Sequence, residues 1–69
     1  MSVREHARLL TVGEVAASLR LSRPSVYRLI HERILPAHRV GAGLGALRVD
    51  ADELAEWLES RRTTTLDAA

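Results

Sequence analysis

Arginine is the residue type with the most chemistry to offer in this chain. All ten positive side chains are Arg, at positions 4, 8, 20, 23, 28, 33, 39, 48, 61 and 62, and none is Lys. A guanidinium presents a planar fork of donors that can hold a guanine edge or a phosphate through two hydrogen bonds at once. Residues 1–48 hold eight Arg against three Glu, a net of +5, while residues 49–69 hold two Arg against six acidic residues, a net of −4. The overall charge of +1 therefore conceals a basic body and an acidic C-terminal segment. A basic face of this kind suits a polyanion.

Other chemistry is poorly represented. His6, His31 and His38 are too scattered for a local metal motif, and without cysteine neither a disulfide framework nor a thiolate zinc site can form. There is no P-loop or nucleophile elbow, and the glycine-rich stretch at 41–45 lacks the strand-to-helix setting of a dinucleotide turn. A chain of 69 residues is one small domain with a thin core, burying only about 60% of its unfolded surface. Such a body has little room for a deep pocket. Neither catalysis nor a cofactor is expected. Arg4, Glu5, His6 and Arg8 interrupt any apolar run at the start, and no stretch approaches the roughly 20 apolar residues of a membrane span. The expectation is a soluble, cytoplasmic protein with no membrane partner.

The elements that must carry the arginines follow from caps and periodicity. Residues 1–8 show no pattern and read as a flexible N-terminus, with Leu9 and Leu10 as an apolar lead-in. Thr11 stands three residues before Glu14, the capping-box spacing, and Val12, Val15, Ala16 and Leu19 form a helical stripe ending near Arg20. Ser22 caps a second helix over about Arg23 to Arg33, with Pro24 in its first turn. Val26, Leu29, Ile30 and the stem of Arg33 are expected to face inward, leaving Arg23, Tyr27, Arg28 and His31 on other sides. His38–Val40 and Leu47–Val49 flank a glycine-rich tip and read as a hairpin. Asp50 and Glu53 repeat the capping-box spacing before a third helix with the stripe Ala51, Leu54, Trp57 and Leu58, in which Trp57 is expected to plug the core. Residues 61–69 read as a disordered tail.

The fold class expected is mainly α with a small β-hairpin: a winged helix-turn-helix of three helices and a two-stranded wing over residues 9–60. Ala16 would sit at the helix crossing and Leu21 would plug the turn. A short helix opened by a cap and bearing exposed Arg fits the major groove of duplex DNA, about 12 Å wide.

The segments LTVGEVAASLRLSRPSVYRLIHERILPAHRVG and LRVDADELAEWL, within residues 9–59, resemble the excisionase family of small winged-helix DNA-binding proteins, relatives of the MerR-type DNA-binding domain. The resemblance implies that the second helix enters the major groove and that the wing lies on backbone or in the minor groove. Carried onto this chain, it puts Arg23 and Arg28 at base edges and Ser22, Ser25, Tyr27 and His31 at phosphates or the groove edge, with Arg39 and Arg48 carrying the wing's affinity. It further implies binding to repeated sites, head-to-tail self-association on DNA, DNA bending, and assistance to an integrase, a tyrosine or serine recombinase, in excising a phage or mobile element in a bacterial cell. A small transcriptional regulator would use the same surface, and a protein-interaction module could use the Arg-rich face for an acidic partner. No long dimerisation helix or ligand domain follows Ser60, so no small-molecule effector is expected.

Two positions and the wing tip depart from the usual pattern. Arg33 stands where the family usually has Gly, so the helix end and the following loop are expected to differ. Arg20 replaces the glycine of many helix-turn-helix turns, which suggests another turn geometry. The wing tip, residues 42–46, is neutral, so no strong minor-groove contact is expected from it.

Overall fold

The first helix begins with reciprocal bonds at Thr11. The Glu14 amide donates to the Thr11 hydroxyl at 3.0 Å and the Thr11 amide donates to the Glu14 carboxylate at 2.8 Å, so two otherwise orphaned donors are satisfied. In the computed structural model, which describes residues 8–42 and 45–63, this helix, α1, spans Val12–Leu19. It is preceded by a two-residue strand β1 (Leu9–Leu10) and followed by α2 (Arg23–His31), β2 (His38–Val40), β3 (Ala46–Asp50) and α3 (Ala51–Ser60). The architecture is a winged helix-turn-helix of three helices and a small antiparallel sheet, with α1 and α3 against the sheet and α2 against α1. The sheet is larger than the expected hairpin. Leu9 pairs with Asp50 and Leu10 with Val49, giving a three-stranded sheet of order β1-β3-β2. A two-residue strand leaves no visible alternation, which is why Leu9 and Leu10 read only as apolar.

Arg8 and Arg61–Thr63 are the only described residues of the two ends expected to be flexible. The Arg8 carbonyl accepts the Ala51 amide at 2.9 Å, and the Arg61 guanidinium lies 4.8 Å from the Trp57 ring centroid. Residues 1–7 and 64–69, with Gly43 and Leu44 of the wing tip, lie outside the described residues.

The core is formed by Val12, Val15 and Ala16 of α1, Val26 of α2, Leu35, Val49 of β3 and Leu54 of α3. Burying each Val or Leu contributes about 1.5 to 3 kcal/mol. Ala16 lies in the core as expected. Leu21, by contrast, is 42% exposed and does not plug the turn. Leu58 is 44% exposed, so the α3 stripe narrows to Leu54 and Trp57. Trp57 covers the core from its flank, half-buried, because its indole N–H must reach a partner, and it donates to the Ile34 carbonyl at 2.8 Å.

Both turns that were expected to depart from glycine-type geometry keep it. Arg20 adopts φ 57, ψ 43 at the end of α1, and the Leu21 amide closes back on the Ala16 carbonyl at 2.9 Å. Arg33 adopts φ 61 after α2, and the Ile34 amide closes on the Leu29 carbonyl at 2.9 Å. Satisfying the last helical carbonyls in this way requires left-handed backbone, which costs a side-chain-bearing residue roughly 1 to 2 kcal/mol. It also ends α2 at His31, two residues earlier than expected, and leaves Arg33 exposed with no inward-facing stem.

Asp50 ends β3 and caps α3, accepting the Asp52 and Glu53 amides at 2.7 and 3.2 Å. An N-cap needs extended backbone, so the strand runs into the helix without a loop. At the wing tip Gly45 has φ +67, and a Cβ there would lie 2.5 Å from the Val40 carbonyl oxygen. Only glycine fits that return.

Candidate nucleic-acid interface

The serine that opens α2 also fixes which way the helix faces. The Ser25 amide donates to the Ser22 hydroxyl at 3.2 Å. With Val26 fully buried beneath and Leu29 and Ile30 partly so, Arg23, Tyr27, Arg28 and His31 are left exposed. This side of α2, the N-terminus of α1 and the β2–β3 hairpin border an open concavity of about 1370 Å³. Among the described residues five arginines line it, Arg23, Arg28, Arg33, Arg39 and Arg48, together with His31 and Tyr27, and no carboxylate does. A concave surface lined by one sign of charge concentrates counter-charged ligands.

Each expected site residue has a definite place. The Arg23 guanidinium lies over Gly13, where a Cβ would come within 2.8 Å of its Nη2. Gly13 thus leaves space at the start of α1 that the guanidinium uses. Arg28 places Nε 3.7 Å from Glu32 Oε2, yet its side chain stays 76% exposed. A pair so open, four residues apart on one helix, contributes only a few tenths of a kcal/mol. The Ser22 hydroxyl donates to the Ser25 hydroxyl at 2.9 Å, and neither serine lines the concavity.

In the wing, Arg39 stands opposite Leu47 and Arg48 opposite His38. Partners across a ladder share a face, so the two strand arginines leave opposite faces of the pleat. Arg48 Nη1 donates to the Leu47 carbonyl at 2.8 Å, which holds part of its fork against its own strand. His38, which shares a face of the sheet with Arg48, donates from Nε2 to Glu53 Oε1 at 2.8 Å. A carboxylate only accepts, so the imidazole nitrogen carries the hydrogen. The bond diverts Glu53 from the reciprocal capping role suggested by its spacing from Asp50 and ties the wing to α3.

Arg33 is the lining residue that sequence reasoning missed, because helical phase extended past His31 put its stem inside. Its own departure from a usual glycine was the available signal. Among the described residues no group of His, Asp and Glu converges as a metal site, and no helix is long and apolar enough to cross a membrane.

The helix-turn-helix domain family matches residues 9–62. Two Mycobacterium tuberculosis proteins, MT0521 of strain CDC 1551 and Rv0500A of strain H37Rv, carry the provisional designation of DNA-binding protein. Each is 50% identical over 52 residues, covering 75% of this chain and 63% of its own length. The chain thus spans less than two thirds of these relatives. The uncharacterised protein YvgK of Bacillus subtilis is 39% identical over 59 residues, 86% of this chain but 18% of that longer protein. No solved structure matches at a significant level. With two capped helices about a tight turn, a β-wing behind them and a family match over residues 9–62, the chain belongs to the helix-turn-helix domain family of DNA-binding domains.

Proposed function

We propose that this chain binds duplex DNA sequence-specifically, with α2 in the major groove and the β2–β3 wing along the adjoining backbone. The observation that carries the reading is the concavity lined, among the described residues, by five arginines and no carboxylate. Arg23, at the first position of α2, and Arg28, in its last turn, reach base edges. Tyr27 and His31 meet phosphates or the groove edge, and Arg39 and Arg48 hold the backbone from the wing. Ser22 and Ser25 contribute through the cap they build, since their hydroxyls bond each other. Residues 9–60 form the DNA-binding unit.

Within that reading, the resemblance over residues 9–59 supports an excisionase-like accessory role, with copies on adjacent repeats bending DNA for an integrase. Bending has an elastic cost that added contacts must offset. Titration of a duplex against the protein at several salt concentrations tests the first claim. Binding no tighter than that of an unrelated basic peptide would remove it in favour of an acidic protein partner. An integrase reaction in vitro tests the second. Excision that proceeds equally without this protein would leave a promoter-bound regulator instead.

A further inference from the structure

Two arginines occupy backbone that glycine ordinarily takes, and they differ in what their side chains can reach. Arg20 (φ 57) follows α1 and Arg33 (φ 61) follows α2. Both are exposed, and neither has a carboxylate partner among the described residues. Only Arg33 lines the concave face. Left-handed strain persists where the surroundings over-determine it, and it collects at functional positions. The surroundings of Arg33 do so. Just beyond it the Ile34 and Leu35 amides both close on the Leu29 carbonyl, Leu35 is 1% exposed, and the Trp57 indole holds the Ile34 carbonyl. The chain must turn there whatever residue supplies the turn, so an arginine adds strain that glycine would avoid.

We propose that Arg33 is a DNA-phosphate-binding residue placed between the recognition helix and the wing. Its left-handed backbone beyond the C-terminal end of α2 takes it off the helix that carries Arg23 and Arg28. A guanidinium there suits the phosphate wall of the groove, where it can bond two oxygens at once. The assignment rests on the duplex-binding reading above. It makes Arg20 an internal control, with the same strained backbone and the same charge but no place on the face.

The test compares the intact chain with its Arg33→Gly, Arg33→Asn, Arg33→Lys and Arg20→Gly variants. It uses thermal melts and fluorescence-anisotropy titrations of specific and random duplexes over a range of salt. Both glycine variants should melt about 4 to 8 °C higher as strain is relieved. Arg33→Gly should bind every duplex about tenfold more weakly and lower the salt slope by about one. Arg33→Asn, which tolerates left-handed backbone without a charge, should lose binding likewise, while Arg33→Lys keeps the slope. Arg20→Gly should bind as the parent does. Parent-like binding by both Arg33→Gly and Arg33→Asn, or an equal loss in Arg20→Gly, would overturn the assignment while leaving duplex binding in place. Failure of the parent chain to bind duplex would remove the broader reading as well.

Discussion

The imidazole Nε2 of His38 lies 2.8 Å from Oε1 of Glu53, joining the first strand of the wing to the first turn of α3 across fifteen residues of chain. Their side chains are 50% and 28% exposed, so water weakens the pair without abolishing it. The His38→Ala and Glu53→Ala changes should each destabilise the domain by about 0.5 to 1 kcal/mol. Glu53→Ala also removes a negative charge from a helix N-terminus, worth about 0.3 to 1 kcal/mol. A double-mutant cycle by urea denaturation separates these effects. The double variant should fall short of the sum by about 0.5 to 1 kcal/mol; strict additivity would show that the bond does not stabilise the wing.

Features with a local cause were legible from residue types alone. The Thr11 box, the Ser22 cap, Pro24 in the first turn of α2 and the Asp50 cap each placed a boundary correctly, because hydrogen-bond satisfaction there involves residues within three positions. Features set by distant partners were hidden. Leu9 and Leu10 become a strand only because β3 passes beside them. Glu53 turns to His38, a partner no helical spacing reveals. The arginines of α2 were legible as an exposed set, but their meeting with Arg39 and Arg48 depends on how the hairpin folds back. Arg20 and Arg33 were legible as departures from glycine, while their adoption of its backbone was not.

Leu35 lies between α2 and the wing, 1% exposed, within a core cluster that draws on every helix and on β3. Leu35→Ala should cost about 2 to 5 kcal/mol through lost burial and the cavity left behind. In a domain whose whole stability is on the order of 5 kcal/mol, that removes a large part of the stability. Leu58, at 44% exposed, gives the contrast: Leu58→Ala should change stability by no more than about 0.5 to 1 kcal/mol. Equal losses at the two positions in urea titrations would mean that α3 packs differently from the arrangement described.

Arg28 has two candidate partners, Glu32 on its own helix and a base edge in DNA. The intrahelical pair is long, at 3.7 Å, and exposed. Arg28→Ala should therefore change the melting temperature little, yet weaken the specific site by about 1 to 3 kcal/mol and relax sequence preference. Glu32→Gln releases the guanidinium and removes a negative charge close to the duplex, so it should leave specific affinity equal or higher. Anisotropy titrations against specific and scrambled duplexes distinguish the cases. If Arg28→Ala binds its specific site as tightly as the parent, base contact by Arg28 is wrong even though the fold is right.

Arg39 differs from Arg28 in the kind of contact its position allows. It sits on β2 opposite Leu47 and lines the same concavity, but a strand lying beside the groove meets backbone before it meets bases. Phosphate contacts fix position without reading sequence. Arg39→Ala should then weaken specific and random duplexes by the same factor and lower the magnitude of the salt slope by about one. For the parent chain, four or five arginines each displacing a condensed counterion give a slope of about −4 in log K against log salt. A slope near −1 would mean that the arginines of the concave face do not engage the backbone together. An Arg39→Ala variant that loses affinity only for the specific site would move Arg39 from the phosphates to a base edge.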